Sequence, residues 1–342
     1  MNPNERTRLG TTEVEVTRLG LGLAPLGGLY RAVGAEQASA TLERAWELGF
    51  RYFDTAPLYG AGLSERRAGS VLAEKPRAEF TLSTKVGRLL VPGQETSRGG
   101  RHRSEPDPAT GDHNDEIWAE PVGLTPTWDF SADGTERSYA ESLDRLGLDR
   151  ADVLHVHDPD DHYADALAGA LPALVAMRAE GRIGAVSVGM NQAEMLADFV
   201  RTGDLDAVLL AGRYTLLDQS GLADLLPLCA DRGVSVIAGG VYNSGLLADP
   251  KPGATYDYLP APTELLDRAL AIQDVCAKHG VPLRAAAVQF PLGHPAVASV
   301  VLGARSPDEV TDAAEMFAHP IPGQLWRDLK DSGLLPEEVP TP

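Results

Sequence analysis

Residues 152–211 read DVLHVHDPDDHYADALAGALPALVAMRAEGRIGAVSVGMNQAEMLADFVRTGDLDAVLLA. Three short runs rich in β-branched residues, DVLHVH (152–157), GAVSVG (184–189) and DAVLLA (206–211), alternate with longer amphipathic stretches at 163–181 and 191–202. Runs of five or six such residues fit strands, and apolar residues at helical spacing closed by glycine fit helices. A strand, a helix and a strand joined this closely make a parallel unit, because the helix carries the chain back across the sheet. Working outward, the same rhythm yields five further strands: LGLGLA (19–24), RYFDT (51–55), FTLSTK (80–85), VSVIAG (234–239) and VASVVLG (297–303). Helical patterns accompany them at 35–49, 136–147, 217–232, 263–279 and 307–317. Eight consecutive units predict an α/β chain closed into a (β/α)8 barrel, one domain over residues 1–342. The rival, an open doubly wound sheet, usually opens on a G-x-G-x-x-G turn. LGLGLAPLGG has the glycines but no helix beginning where that turn needs one. Ahead of the first strand, LGTTEVEVTRLG (9–20) alternates like a hairpin and is expected to plug the N-terminal end of the barrel.

Two segments break the rhythm. Residues 87–134 are too long for a strand-to-helix connection and are dense in Gly, Pro and charge. Such loops serve a site or stay disordered. Following the third strand, the insert falls on the C-terminal face, where barrel active sites are built. Its middle, 93–115, reads as mobile, and Trp118, Trp128 and Phe130 are expected to fold over a substrate. An exposed insert without a role is the alternative. A second long loop, 243–262, also follows a strand and is a candidate partner in covering the site.

The chain has 342 residues, 43% of them hydrophobic, so one large core is affordable. Its net charge of -19 disfavours nucleic acid and anionic membranes as partners. The polar opening MNPNERTRLG is no signal peptide, and no run approaches a membrane span, so a cytoplasmic protein is expected, monomeric or a small homo-oligomer. Cys229 and Cys276 lie in separate helical patterns with no partner at metal spacing and read as reduced core residues. What remains as partner is a small molecule.

Strand ends in a barrel converge on one mouth, and three neighbouring units bring titratable groups there: Asp54 and Tyr59 after the second strand, Lys85 ending the third, His157 ending the fourth. Each alone has a dull explanation, as a cap, a packed loop residue or a snorkelling lysine. Together they form a proton-transfer device: a nearby ammonium favours phenolate and is expected to lower the tyrosine pKa, while the carboxylate holds the lysine. His155 shares the face of His157 by period-two alternation and is expected deeper inside. HDPDDH (157–162) holds metal-binding residue types, but no metal is expected.

The run GFRYFDTAPLYGAGLSERRAGSVL (49–72), the lysine of TLSTK and LHVHDPD (154–160) strongly resemble the aldo-keto reductases, over nearly the whole chain. The resemblance implies an NAD(P)-dependent oxidoreductase with Tyr59 as general acid and base, Lys85 as its neighbour, Asp54 as the partner of Lys85, and His157 orienting the substrate oxygen. It also implies a cofactor site at Gly20, Gly22, Asn191, Arg213, Ser244, Gly245, Leu247, Gly303, Arg305 and Glu309. Many members stack an aromatic residue on the nicotinamide at the end of the seventh strand. This chain has Gly239 and Gly240 there, leaving Tyr214 or Tyr242 as substitutes.

AGRYTLLDQ (211–219), GGVYNSGLLA (239–248) and AAVQFPLGHPAV (286–297) look like the branch of L-fucose and D-threo-aldose 1-dehydrogenases, to which pyridoxal 4-dehydrogenase is related. That branch implies oxidation of a free sugar's anomeric carbon to a lactone. Glu309 at the position of a phosphate-binding arginine implies NAD, with NADP possible through Arg305. The alternatives are an NADPH-dependent aldehyde or ketone reductase, a pyridoxal dehydrogenase and, in a different class, a cofactor-sensing binding subunit.

Overall fold

The computed structural model describes residues 1–92, 118–119 and 123–342. Eight parallel strands, Leu19–Gly22, Tyr52–Asp54, Thr81–Val86, Val153–His157, Ala185–Met190, Ala207–Ala211, Ser235–Gly239 and Val297–Gly303, close into a barrel in chain order, the last pairing with the first. Each apolar run of the sequence falls on one of them, with ends shifted by a residue or two. Helices Ala35–Glu47, Leu63–Leu72, Ala132–Leu146, Ala193–Thr202, Leu225–Arg232, Thr263–Lys278 and Pro307–Ala318 pack around the outside. The fourth unit's helix is interrupted by a π-helical turn, Ala166–Ala170. It ends beside Pro172, whose missing N–H cannot serve the ordinary ladder. Helix Leu283–Gln289 escaped the sequence reading because every one of its residues except Arg284 is buried, leaving no polar face to mark the period.

The N-terminal hairpin pairs Arg6–Arg8 with Glu15–Thr17 and closes the barrel floor. Leu9 and Val16 are fully buried against the interior residues Tyr52, Val153, Ala185, Ala207 and Ile237. Burying two such side chains contributes about 2 kcal/mol each.

At the opposite end, the insert leaves the third strand through Gly87, whose φ of 100° suits only glycine. It then forms a hairpin of Arg88–Pro92 against Leu124–Trp128. The middle expected to be mobile, 93–115, lies outside the described residues. The loop after the seventh strand carries a second hairpin, Thr255–Tyr256 with Leu259–Pro260, turning on Asp257 and Tyr258 at φ 46° and 66°. Cys229 and Cys276 are free and buried, and burial pushes both thiols up to about 12. Among the described residues no helix is long and apolar enough to cross a membrane.

Candidate active site

Alternation along the second, third and fourth strands turns Tyr52 and Asp54, Ser83 and Lys85, and His155 and His157 toward the barrel interior. Lys85 and Asp54 are almost fully buried and ion-paired at 2.6 Å. Two buried charges persist only when their remaining hydrogen-bonding capacity is met. Here the Lys85 ammonium also donates to the Thr55 carbonyl at 2.9 Å, and the Ser83 hydroxyl donates to Asp54 Oδ1 at 2.7 Å. His155 lies below, fully buried, with Nδ1 2.8 Å from the Ser187 hydroxyl and Nε2 3.5 Å from Asp54. Burial, with Lys85 adding, lowers its pKa to about 3, so it stays neutral.

Tyr59 follows the second strand in a tight loop that only glycine permits: Gly60 has φ 62°, and a Cβ on it would strike the Gly27 backbone. The Lys85 ammonium stands 5.0 Å from the Tyr59 ring centre. His157 meets that ring edge-on at 5.9 Å, and Trp118 lies tilted against it at 5.8 Å. The structure therefore gathers Asp54, Lys85 and His157 around the Tyr59 phenol.

The electrostatics depart from the expectation that Lys85 lowers the phenol's pKa. Burial drives the Tyr59 pKa well above its ordinary value; Asp54 and Asp158 add to the rise, and Arg88 opposes it. Burial is the larger cause, and the Lys85 ammonium that was expected to oppose it is ion-paired with Asp54. His157 is shifted the other way: burial, then Arg88 and Lys85, hold it well below the usual histidine range. The site thus holds a neutral phenol beside a neutral imidazole.

A family model, the aldo/keto reductase family, matches residues 18–332. The chain belongs to the aldo/keto reductase family. It is 45% identical over 324 residues to a D-threo-aldose 1-dehydrogenase of a Pseudomonas species, covering 94% of this chain and 95% of that one. It is 41% identical over 346 residues to a pyridoxal 4-dehydrogenase of Microbacterium luteolum, covering 98% and 99%. An L-galactose dehydrogenase of Arabidopsis thaliana is 30% identical over 91% of this chain and 88% of that one. In fold, the chain superposes on the holo form of an aldo-keto reductase from Bacillus halodurans with a TM-score of 0.72 at 24% identity, covering 96% and 95%.

Aldo-keto reductases are oxidoreductases that use NAD(P)H, and the residues expected to meet that cofactor are placed unevenly. Gly22, at the end of the first strand, pairs in register with Asp54 at the mouth. Gly20 instead makes room inside the barrel, since a Cβ there would strike the Tyr52 ring. Asn191 is half-buried just beyond the fifth strand. Arg213 is committed to Asp257 through two bonds of 3.1 and 2.7 Å. Ser244 and Gly245 continue a left-handed run from Asn243, and the space a Gly245 side chain would fill is open, as a backbone that receives a ligand requires. Leu247 is core, and its N–H is spent on the Tyr242 carbonyl. After the eighth strand, Gly303 abuts Pro25, where a Cβ would come within 2.7 Å of the Pro25 ring. Arg305 carries a buried Nε with no hydrogen-bond partner, an atom awaiting an acceptor. Glu309 accepts the Arg305 N–H at 2.7 Å. The left-handed run and the waiting guanidinium fit a dinucleotide.

Of the two tyrosines named as possible stacking partners, Tyr214 packs on Phe290 and His294 in the core, and the Tyr242 hydroxyl donates to the Arg284 carbonyl at 3.4 Å. Of the insert's aromatics, Trp118 reaches Tyr59, whereas Phe130 is buried under Gly87 and cannot cover a ligand. Trp128 is exposed and stacks on His162 at 6.2 Å. Sequence reasoning missed Arg88, Asp158 and the pair Tyr30 and Tyr258, whose rings meet at 6.1 Å across the mouth. The non-glycine turn residues at positive φ, Asp158 among them, are invisible in a hydrophobic pattern.

Proposed function

We propose that this aldo-keto reductase oxidises the anomeric carbon of a free aldose of the D-threo type to a lactone, using NAD. The observation that carries this reading is a pair of buried, unpartnered polar atoms on the two rings flanking Tyr59: Trp118 Nε1, a donor, and His157 Nδ1. Unsatisfied buried polar atoms are costly, and a polyhydroxylated ligand satisfies them where a simple aldehyde cannot. The similarity to a D-threo-aldose 1-dehydrogenase supports the same substrate class.

When bound, the nicotinamide supplies a hydride acceptor at its C4; Gly22, Ser244, Gly245, Arg305 and Glu309 are the residues that would hold the dinucleotide. Tyr59 takes the proton of the anomeric hydroxyl as the hydride leaves C1, so the C–O bond becomes the lactone carbonyl. Asp54 and Thr55 pin Lys85 beside the phenol, and His157 orients the sugar. Because Tyr59 is held protonated, oxidation accelerates as pH rises toward the phenol's ionisation, and no histidine limb interrupts the rise. That same protonated phenol favours a second reading, an aldehyde or ketone reductase in which Tyr59 donates its proton to the product alkoxide.

A panel of free aldoses, pyridoxal and simple aldehydes, followed through nicotinamide absorbance in both directions, tests the choice. We expect the highest kcat/KM with a D-threo aldose and NAD. Turnover confined to pyridoxal, or to carbonyl reduction, would refute the assignment.

A further inference from the structure

Tyr30, in the loop after the first strand, meets Tyr258, in the hairpin after the seventh, over the end of the eighth strand that lies between them. Their rings stand 6.1 Å apart, tilted by 39°. Both backbones are left-handed, φ 62° and 66°. That region is rare for a bulky side chain and persists only where neighbouring contacts enforce it, most often at functional sites. The hairpin's enforcement is plain. Arg213 holds Asp257 through two bonds of 3.1 and 2.7 Å, the Tyr258 N–H donates to the Ser244 hydroxyl at 3.2 Å, and the Thr255 hydroxyl donates to the Ser244 carbonyl at 2.9 Å. Core packing does not account for the two rings, since the residues stay 40% and 44% exposed.

The pair is tied to the wall around Tyr59. Leu29, next to Tyr30, bridges to Trp118, and Trp118 leans on the Tyr59 ring at 5.8 Å. The two phenols have different neighbours. That of Tyr30 lies within electrostatic reach of Ser244 and Arg305, on the side expected to hold the dinucleotide. Burial raises the Tyr258 pKa, and Tyr30, Tyr59 and Asp158 add to the rise, so this phenol stays protonated and looks toward the residues around the reacting carbon. Among the described residues its hydroxyl has no hydrogen-bond partner.

We propose that Tyr258 is a specificity-determining residue, whose hydroxyl bonds a sugar hydroxyl remote from the reacting carbon, across the mouth from Tyr59. The reacting oxygen belongs to Tyr59, so the opposite wall meets the rest of the sugar ring. A protonated phenol donates one bond and accepts another, which fits a sugar hydroxyl that does the same. The latched hairpin and the Tyr30 ring hold it in place before the sugar arrives. This inference rests on reading the site as an aldose dehydrogenase.

Tyr258→Phe is a suitable probe on the full chain, because it keeps the ring, the turn and the contact with Tyr30. The KM for the aldose should rise about fivefold or more, the scale of one hydrogen bond between neutral groups, with kcat within about twofold. The Kd for NADH, followed by quenching of tryptophan fluorescence, should stay within about twofold. A set of monodeoxy analogues then locates the partner: one analogue lacking a hydroxyl away from C1 should be bound equally by wild type and Tyr258→Phe, since the bond is already lost. An aldose KM within twofold of wild type, or the same loss on the aldose and on every analogue, overturns the assignment while leaving the dehydrogenase reading intact. A weakened NADH Kd that accounts for the change in KM also overturns it, by moving Tyr258 to the dinucleotide. A wild type that oxidises no aldose overturns the aldose reading, and the sugar contact with it.

Discussion

Glu309 stands in the first turn of helix Pro307–Ala318, where its own N–H bonds to the Ser306 hydroxyl at 3.2 Å and its carboxylate takes the Arg305 N–H at 2.7 Å. A helix N-terminus is a natural anion site, and here the protein's own carboxylate fills it. A 2'-phosphate approaching the same place meets that negative charge, so NAD is the expected partner. In Glu309→Arg the ratio of kcat/KM for NADP over NAD should rise about tenfold or more, because a guanidinium clasps phosphate through paired charged bonds. An unchanged ratio would mean that this helix end does not face the adenosine ribose. At this scale the sequence was legible where chemistry sits at strand ends: Asp54, Tyr59, Lys85 and His157 are brought together as their alternation required. It was not legible for Asp158 and Arg88. Their pairing joins a hairpin strand to a turn 70 positions on, and each looks like an ordinary surface charge in a linear reading. The sign of the Tyr59 shift was likewise hidden, because burial sets it first, and how deeply a loop residue is buried cannot be read from the linear chain.

Among elements, the hairpin that leaves the third strand bears most directly on the site, since it places Arg88 at the mouth. Its geometry begins at Gly87, where the left-handed turn tucks Phe130 beneath the backbone. Gly87→Ala adds both backbone strain and a methyl group inside the Phe130 contact surface. It should therefore cost about 2 kcal/mol or more in denaturant unfolding. It should also raise KM for the sugar by moving Arg88. A variant as stable as the wild type would show that the hairpin can hinge freely at this point. The eight strands and most helices were legible because each carries its own period. The hairpin was not, since its two strands are separated by more than 30 residues and pair through backbone bonds that leave no pattern in the side chains. Helix Leu283–Gln289 was lost for the opposite reason, an almost uniformly buried run.

For the whole molecule, the barrel separates stability from chemistry along its axis. Leu9 and Val16 seal the floor, while Asp54, Lys85, Tyr59 and His157 line the upper interior and the mouth. Leu9→Ala should then cost about 2–5 kcal/mol of unfolding free energy through the cavity it leaves. The kcat/KM of the folded variant should stay within about twofold of wild type. A large kinetic loss without a stability loss would mean that floor and mouth are coupled. The central claim is that the anomeric hydride leaves the sugar while Tyr59 takes its proton. The most direct measurement supplies an aldose deuterated at C1 together with NAD and follows the label by mass spectrometry and NMR. The account predicts deuterium at C4 of the reduced nicotinamide, an unlabelled lactone, and loss of both products by about a hundredfold or more in Tyr59→Phe. Label retained in the sugar product, or transfer undiminished in Tyr59→Phe, would contradict it.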